Sequence, residues 1–175
     1  MRNPIPVRRF LAACALAVAV LSAPAVAQMG KNEIGYPVSA DPAVAADQRA
    51  AYEVVRRYEA LLNAGDTAGI LDLFAPDSVA EWNNVPTAAT GEERRRTYDT
   101  LFKTAKFSTV FGYAAVNAYG DTAVVRTLHH EGATVLEGGK KVVDLNREVF
   151  VLRRMDGRYR IVLYIFNTDP VQGEG

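Results

Sequence analysis

The chain has 175 residues, 49% of them hydrophobic and 23% charged, with 20 basic side chains against 20 acidic ones. That is enough apolar chain for the core of one domain. The balanced charge excludes the basic footprint of a nucleic-acid-binding protein, and the densest cluster, Glu93–Arg96, lies beside Glu92 and Asp99 on a predicted helix and reads as a solvated face.

Arg2, Arg8 and Arg9 precede an apolar run, "FLAACALAVAVLSA" over Phe10–Ala23, and then "APAVAQ" with small residues at Ala25 and Ala27. This order of basic, apolar and small residues predicts a signal peptide over 1–27, cleaved after Ala27. The run is shorter than the roughly 20 residues a spanning helix needs, so no stable membrane span is expected after cleavage. "LAAC" at Leu11–Cys14 resembles a lipoprotein box but lies too early in the run. Cleavage removes Cys14, the single cysteine, so the mature chain carries neither disulfide nor thiol chemistry. It leaves 17 basic side chains against 20 acidic ones, a net charge of −3. The expected location is periplasmic or secreted.

"QMGKNEIGYPVSADP" (28–42) has no apolar period and is expected to be a flexible leader, with the folded domain over 43–175. From Ala43, the apolar residues Ala51, Val54, Val55, Tyr58, Leu61 and Leu62 recur at three- and four-residue steps, which predicts a helix. Gly65 ends it and Asp66 caps a second short helix, whose Ile70, Leu71 and Phe74 turn inward and which Pro76 stops. "SVAEW" is a short strand. Thr90 with Glu93 forms a capping box for a third helix, with Tyr98, Leu101, Phe102 and Ala105 on its apolar face.

Beyond Lys106, four long β segments are separated by turns at Gly120-Asp121, Gly138-Gly139 and Asp156-Gly157, which predicts an antiparallel meander. Helices first and strands afterwards give an α+β domain with the helices packed on one face of a sheet. There is no internal repeat, and no phosphate loop, nucleophile elbow or metal-ligand spacing, so neither a cofactor nor a metal is expected.

"YEALLNAGDTAGILDLFAPDSV", the third helix and "VLRRMDGRYRIVLYIFN" resemble the nuclear transport factor 2-like superfamily, which includes ketosteroid isomerase and SnoaL-like cyclases. The resemblance covers about Ala43 to Pro170. It implies a cone: helices across a strongly curved antiparallel sheet, a pocket at the wide end and, in many members, a homodimer through the outer sheet face. In ketosteroid isomerase a carboxylate base works with two neutral donors, a tyrosine and a protonated aspartate, that stabilise an enolate. On the resemblance, the tyrosine corresponds to Tyr58 and the protonated acid falls near Glu148 in "NREVF", where Asn146 shares its strand face. The base position corresponds to Trp82, which cannot take a proton from carbon and suits a pocket wall instead.

Each residue also has a plainer reading. Tyr58 can be core packing, and Glu148 a surface carboxylate paired with a cross-strand arginine. His129 and His130 are the only histidines. Adjacent on a strand, one faces inward and one outward, and alternation does not decide which. The inward one can be structural or can supply the missing base. The candidate catalytic residues are thus Tyr58, His129, His130 and Glu148. The candidate ligand contacts are Tyr58, Trp82, Tyr98, Phe102 and Asn146. The favoured reading is an exported pocket protein that binds a small, largely apolar or aromatic molecule. It rests on Trp82 and on the many aromatics, Phe111, Tyr113, Phe150, Tyr164 and Phe166 among them. The alternative is an isomerase, dehydratase or cyclase with a histidine base and Tyr58 as oxyanion donor.

Overall fold

A computed structural model describes residues 35–128, 134–137, 140–143 and 146–168. Three helices come first. Helix α1 (Pro42–Ala64) starts at Asp41, whose side chain accepts from the Ala43 N–H at 2.8 Å, and has Pro42 in its first turn, where a missing N–H costs nothing. It buries Ala51, Val55, Tyr58 and Leu62, one stripe of the helix. It ends at Gly65, whose left-handed φ of 67° returns its N–H to the carbonyls of Leu61 and Leu62. Helix α2 (Thr67–Leu73) follows at once, capped by Asp66. A Cβ at Gly69 would come within 2.5 Å of Leu61 Cδ2 and 2.6 Å of Asp66 Oδ2, so a larger residue there would have to displace the Leu61 side chain and the Asp66 cap where α2 folds back on α1. Helix α3 (Gly91–Thr104) carries the expected capping box of Thr90 and Glu93.

The strands are β1 (Phe74–Glu81), β2 (Ala105–Ser108), β3 (Gly112–Tyr119), β4 (Thr122–Leu128), β5 (Thr134–Glu137), β6 (Lys140–Val143), β7 (Asn146–Met155) and β8 (Arg158–Thr168). They form an open five-stranded sheet in the order β1-β8-β7-β4-β3 and a smaller sheet in the order β2-β5-β6. The helices pack on the larger sheet, which is mixed because β1 runs parallel to β8. This is the expected α+β, nuclear transport factor 2-like cone.

Several boundaries differ from the sequence expectation. Three of the four long β segments are each broken in two, giving β2 with β3, β4 with β5 and β6 with β7. The halves divide between two sheets, and local alternation carries no signal for a change of partner. Phe74 and Pro76 belong to β1 rather than to α2. Pro76 is tolerated there because β1 is an edge strand and the residue is exposed. Leu73, two positions on from the expected Leu71, turns into the core.

The stretch 35–41, expected as part of a flexible leader, is packed. Tyr36 is 1% exposed, with its ring 5.3 Å from Tyr52 and 6.4 Å from Tyr113. Gln48 fastens this segment: its Oε1 accepts from the Ser39 N–H at 2.8 Å and its Nε2 donates to the Val116 carbonyl at 2.6 Å. One aromatic ring offsets the ordering of a short strap, which a search for periodicity does not register. Among the described residues no helix is long and apolar enough to cross a membrane.

Candidate functional site

A cavity of about 350 Å³ opens between α1, α3 and the larger sheet. Tyr58 reaches it from α1, Tyr98 and Leu101 from α3, Glu148 from β7, and Tyr164 and Phe166 from β8. Trp82 walls it just past the end of β1, and Phe111 sits between β2 and β3. The loop 83–87 lies at its edge, pinned by a bridge in which Ala80 and Ala88 exchange N–H···O bonds of 3.0 and 2.9 Å. Asn84 takes a left-handed φ of 58° there, a conformation asparagine adopts more readily than most residues.

Seven of the fifteen described lining residues are aromatic. Tyr58 stands edge-on to Phe150 at 5.1 Å and lies 5.3 Å from Tyr164. Trp82 meets Tyr98 edge-on at 5.6 Å and Tyr164 at 6.0 Å. Such pairs favour edge-to-face geometry because a ring edge is positive and its face negative.

Asn83 and Asn84 are exposed where they line the cavity and Thr97 is half-buried, while the phenols and Glu148 are buried. The hydroxyls of Tyr58 and Tyr98 are hydrogen-bonded at 2.8 Å. Burial, with the neighbouring Tyr164 phenol adding to it, pushes the Tyr58 pKa well above the usual tyrosine range. Tyr98 and Tyr164 are raised well above it too, again chiefly by burial. All three phenols therefore stay protonated and able to donate. Glu148 is 4% exposed. Burial raises its pKa to about 7, the Thr127 hydroxyl pulls it down and the charge of Glu59 pushes it up. Thr127 donates to Glu148 Oε2, and its own Oγ1 accepts from the Glu148 N–H at 2.8 Å. Near neutrality this carboxyl is partly protonated.

The structure thus gathers Tyr58, Trp82, Tyr98 and Glu148 around one space. Glu148 is a buried group bonded to threonine, not a surface carboxylate paired with arginine. Phe102 is a correction: it does not line the cavity but packs behind it, 6.0 Å from Tyr98 and 6.1 Å from Phe107, and Leu101 takes the lining position. One helical step of 100° separates the two, which is too fine for an apolar stripe to resolve. His129 and His130 lie outside the described residues, as does the side chain of Asn146, whose backbone pairs with Thr168. Among the described residues no three His, Cys, Asp or Glu side chains converge as metal ligands would.

Sequence reasoning counted Tyr164, Phe111 and Phe166 as aromatics without assigning them to the site, and it missed Thr127 as the partner of Glu148. The reason for Tyr164 and Phe166 is a β-bulge. From the hairpin, Leu152 pairs with Ile161, but Val151 pairs with Leu163, leaving Val162 as an extra residue. Up to Ile161 the odd positions of β8 face in; after the bulge the even ones do.

The family model of the SnoaL-like domain matches residues 55–163, most of the folded chain. The chain belongs to the SnoaL-like domain family. It is a member of the nuclear transport factor 2-like superfamily. No curated protein matches this SnoaL-like domain. Among solved structures it is similar to a ketosteroid isomerase-like protein from Erwinia carotovora atroseptica, with a TM-score of 0.65 and 20% identity, covering 71% of this chain and 98% of that one. A nuclear transport factor 2-like protein of unknown function from Pseudomonas putida gives 0.58 and 18%, covering 74% and 90%. A cystatin-like fold of unknown function from Nostoc punctiforme gives 0.57 and 17%, covering 78% and 97%. At these identities the likeness is one of fold.

Proposed function

We propose that this SnoaL-like domain is an exported pocket protein that binds one small, largely apolar or aromatic molecule carrying an oxygen acceptor, and that it works as a homodimer. The observation that carries the reading is the wall of the cavity: seven of its fifteen described lining residues are aromatic, and protonated phenols and a partly neutral carboxyl stand among them. Apolar walls supply affinity through burial, and a few fixed donors supply orientation. Trp82 stands where the resemblance to ketosteroid isomerase calls for a carboxylate base, which favours binding over that reaction.

Trp82 is the single tryptophan of the chain, so intrinsic fluorescence reports on the cavity alone. Native mass spectrometry of protein purified from its host is expected to show a retained small molecule. Its removal should shift Trp82 emission and its return should restore it. An empty protein whose emission responds to no apolar phenol or ketone would reject the reading. Export rests on the leader over 1–27 and is tested by N-terminal sequencing of protein from the periplasmic fraction, where Gln28 is expected first.

One observation favours a second reading. Glu148 has a pKa close to neutral and shares the cavity with three phenols, the pairing of proton carrier and oxyanion donors that an isomerase or dehydratase uses. Under that reading Tyr58→Phe and Glu148→Gln abolish turnover of an enolisable ketone while the fold survives. Under the binding reading they change affinity only, by about 1 kcal/mol for one neutral hydrogen bond.

A further inference from the structure

A second cavity, of about 520 Å³, lies near the first turn of α3, between the start of β1 and the tip of the β7–β8 hairpin. Three arginines line it: Arg94, Arg95 and Arg160. Arg94 is 2% exposed, yet among the described residues it forms no ion pair, and Glu93 acts on its charge only from a distance. Its Nη1 donates to the Ser78 carbonyl at 2.5 Å, its guanidinium lies 5.1 Å from the centre of the Phe74 ring, and its Nε is buried without an acceptor. Arg160 spends Nη1 on two backbone carbonyls, those of Asp72 at 2.7 Å and Phe74 at 3.3 Å. Arg95 is exposed and forms no ion pair among the described residues. The other arginines of the same hairpin are matched differently: Arg153 pairs with Asp77, Arg154 with Asp47 and Arg158 with Asp72.

Burying a guanidinium without a counter-charge is unfavourable, and the cost persists until an anion arrives. The place for one is beside it. The α3 capping box satisfies the N–H groups of Thr90 and Glu93, which leaves those of Gly91 and Glu92 as the orphan donors of a 14-residue helix. Glu92 and Asp156 also line the cavity, both exposed, so three cations face two carboxylates and the net charge is positive.

We propose that this cavity binds a small phosphate-bearing molecule, with the phosphate held by Arg94, Arg95 and Arg160 at the N-terminus of α3. A tetrahedral oxyanion offers acceptors in several directions at once, as three guanidinium groups from two elements require. The site is separate from the aromatic cavity, although Arg94 lies one turn before Tyr98 on the same helix.

The test is isothermal titration calorimetry of the purified chain with inorganic phosphate at constant ionic strength, with acetate run in parallel. Saturable phosphate binding is expected, at least about tenfold tighter than acetate binding, as a charge-assisted bond gained or lost implies. Arg95→Gln, on the exposed rim, should weaken it about tenfold without touching the fold. Arg94→Gln should abolish it in a protein whose circular dichroism is unchanged. Arg153→Gln, outside the cavity, should leave it intact. No saturable heat with phosphate at tens of millimolar overturns the proposal. So does acetate binding as tightly, or phosphate binding that Arg95→Gln leaves unaltered.

Discussion

Tyr58 and Tyr98 share a hydrogen bond at the lining of the aromatic cavity. Tyr98→Phe removes one partner of the Tyr58 hydroxyl and leaves Tyr164 as another, so the expected loss of stability is about 1 kcal/mol, the net value of a typical hydrogen bond. Urea unfolding measures it, and an unchanged midpoint would mean that the bond to Tyr164 suffices. Glu148 gives a dependence on pH whose sign is fixed. Its folded pKa of about 7 lies above the ordinary value of 4.5, so the native state holds the proton that the unfolded chain releases. Its contribution is complete below about pH 4.5 and is lost as pH rises through 7, by on the order of 3 kcal/mol. Asp77 and Glu93 are shifted the other way, and their windows lie below their ordinary values of 3.8 and 4.5. Between pH 5 and 8 the Glu148 effect therefore stands alone among the resolved carboxylates, and Glu148→Gln should flatten the fall in the urea midpoint over that range.

At the scale of elements, the break between α1 and α2 sets how the helices close over the sheet. Gly65→Ala places a Cβ 3.8 Å from Phe102, an ordinary contact, so the cost is that of the left-handed backbone, about 1 kcal/mol. Thermal unfolding should show a lower midpoint with an unaltered far-ultraviolet spectrum. The bulge at Val162 sets which side chains reach the cavity. Deleting Val162 makes the alternation along β8 regular: Leu163, on the outer face, then follows Ile161 directly, and Tyr164 and Phe166 stay inward. Trp82 emission is therefore expected to stay native, since Tyr164 keeps its place beside the indole. Emission shifted to the red would show that the bulge itself, and not only the count of residues, shapes the wall.

At the scale of the molecule, the outer face of the sheet bears on the proposed homodimer. Val79, Leu163, Val151 and Val124 are cross-strand partners in one row over β1, β8, β7 and β4, each half-buried and, apart from Leu163 beside the bulge, each between inward-facing neighbours. A row of apolar side chains across four strands is a surface that a second copy can cover. Sedimentation velocity is expected to give twice the monomer mass of the mature chain, and Val151→Arg, in the middle of the row, should halve it. A native chain that sediments as a monomer at high concentration would end the dimer reading.

The sequence by itself determined whatever local chemistry dictates. The Asp66 and Thr90 caps, the Gly65 stop, the inward stripe of α1 and the Asp156-Gly157 hairpin each follow from a few neighbouring residues, and together they specify helices packed on a curved sheet. Tyr58, Trp82 and Glu148 were legible because the resemblance placed them relative to those markers, and Tyr98 because it lies on the apolar face of α3. The tertiary structure decided what depends on pairing between distant segments. It split the long β segments between two sheets, ran β1 parallel to β8, packed Tyr36 and used one extra residue at Val162 to reverse the faces of β8. It also decided that Glu148 is a near-neutral carboxyl, because the burial that raises its pKa comes from elements far from it in sequence. Helical period and capping are properties of a few adjacent residues; register and desolvation are properties of which strands and helices meet.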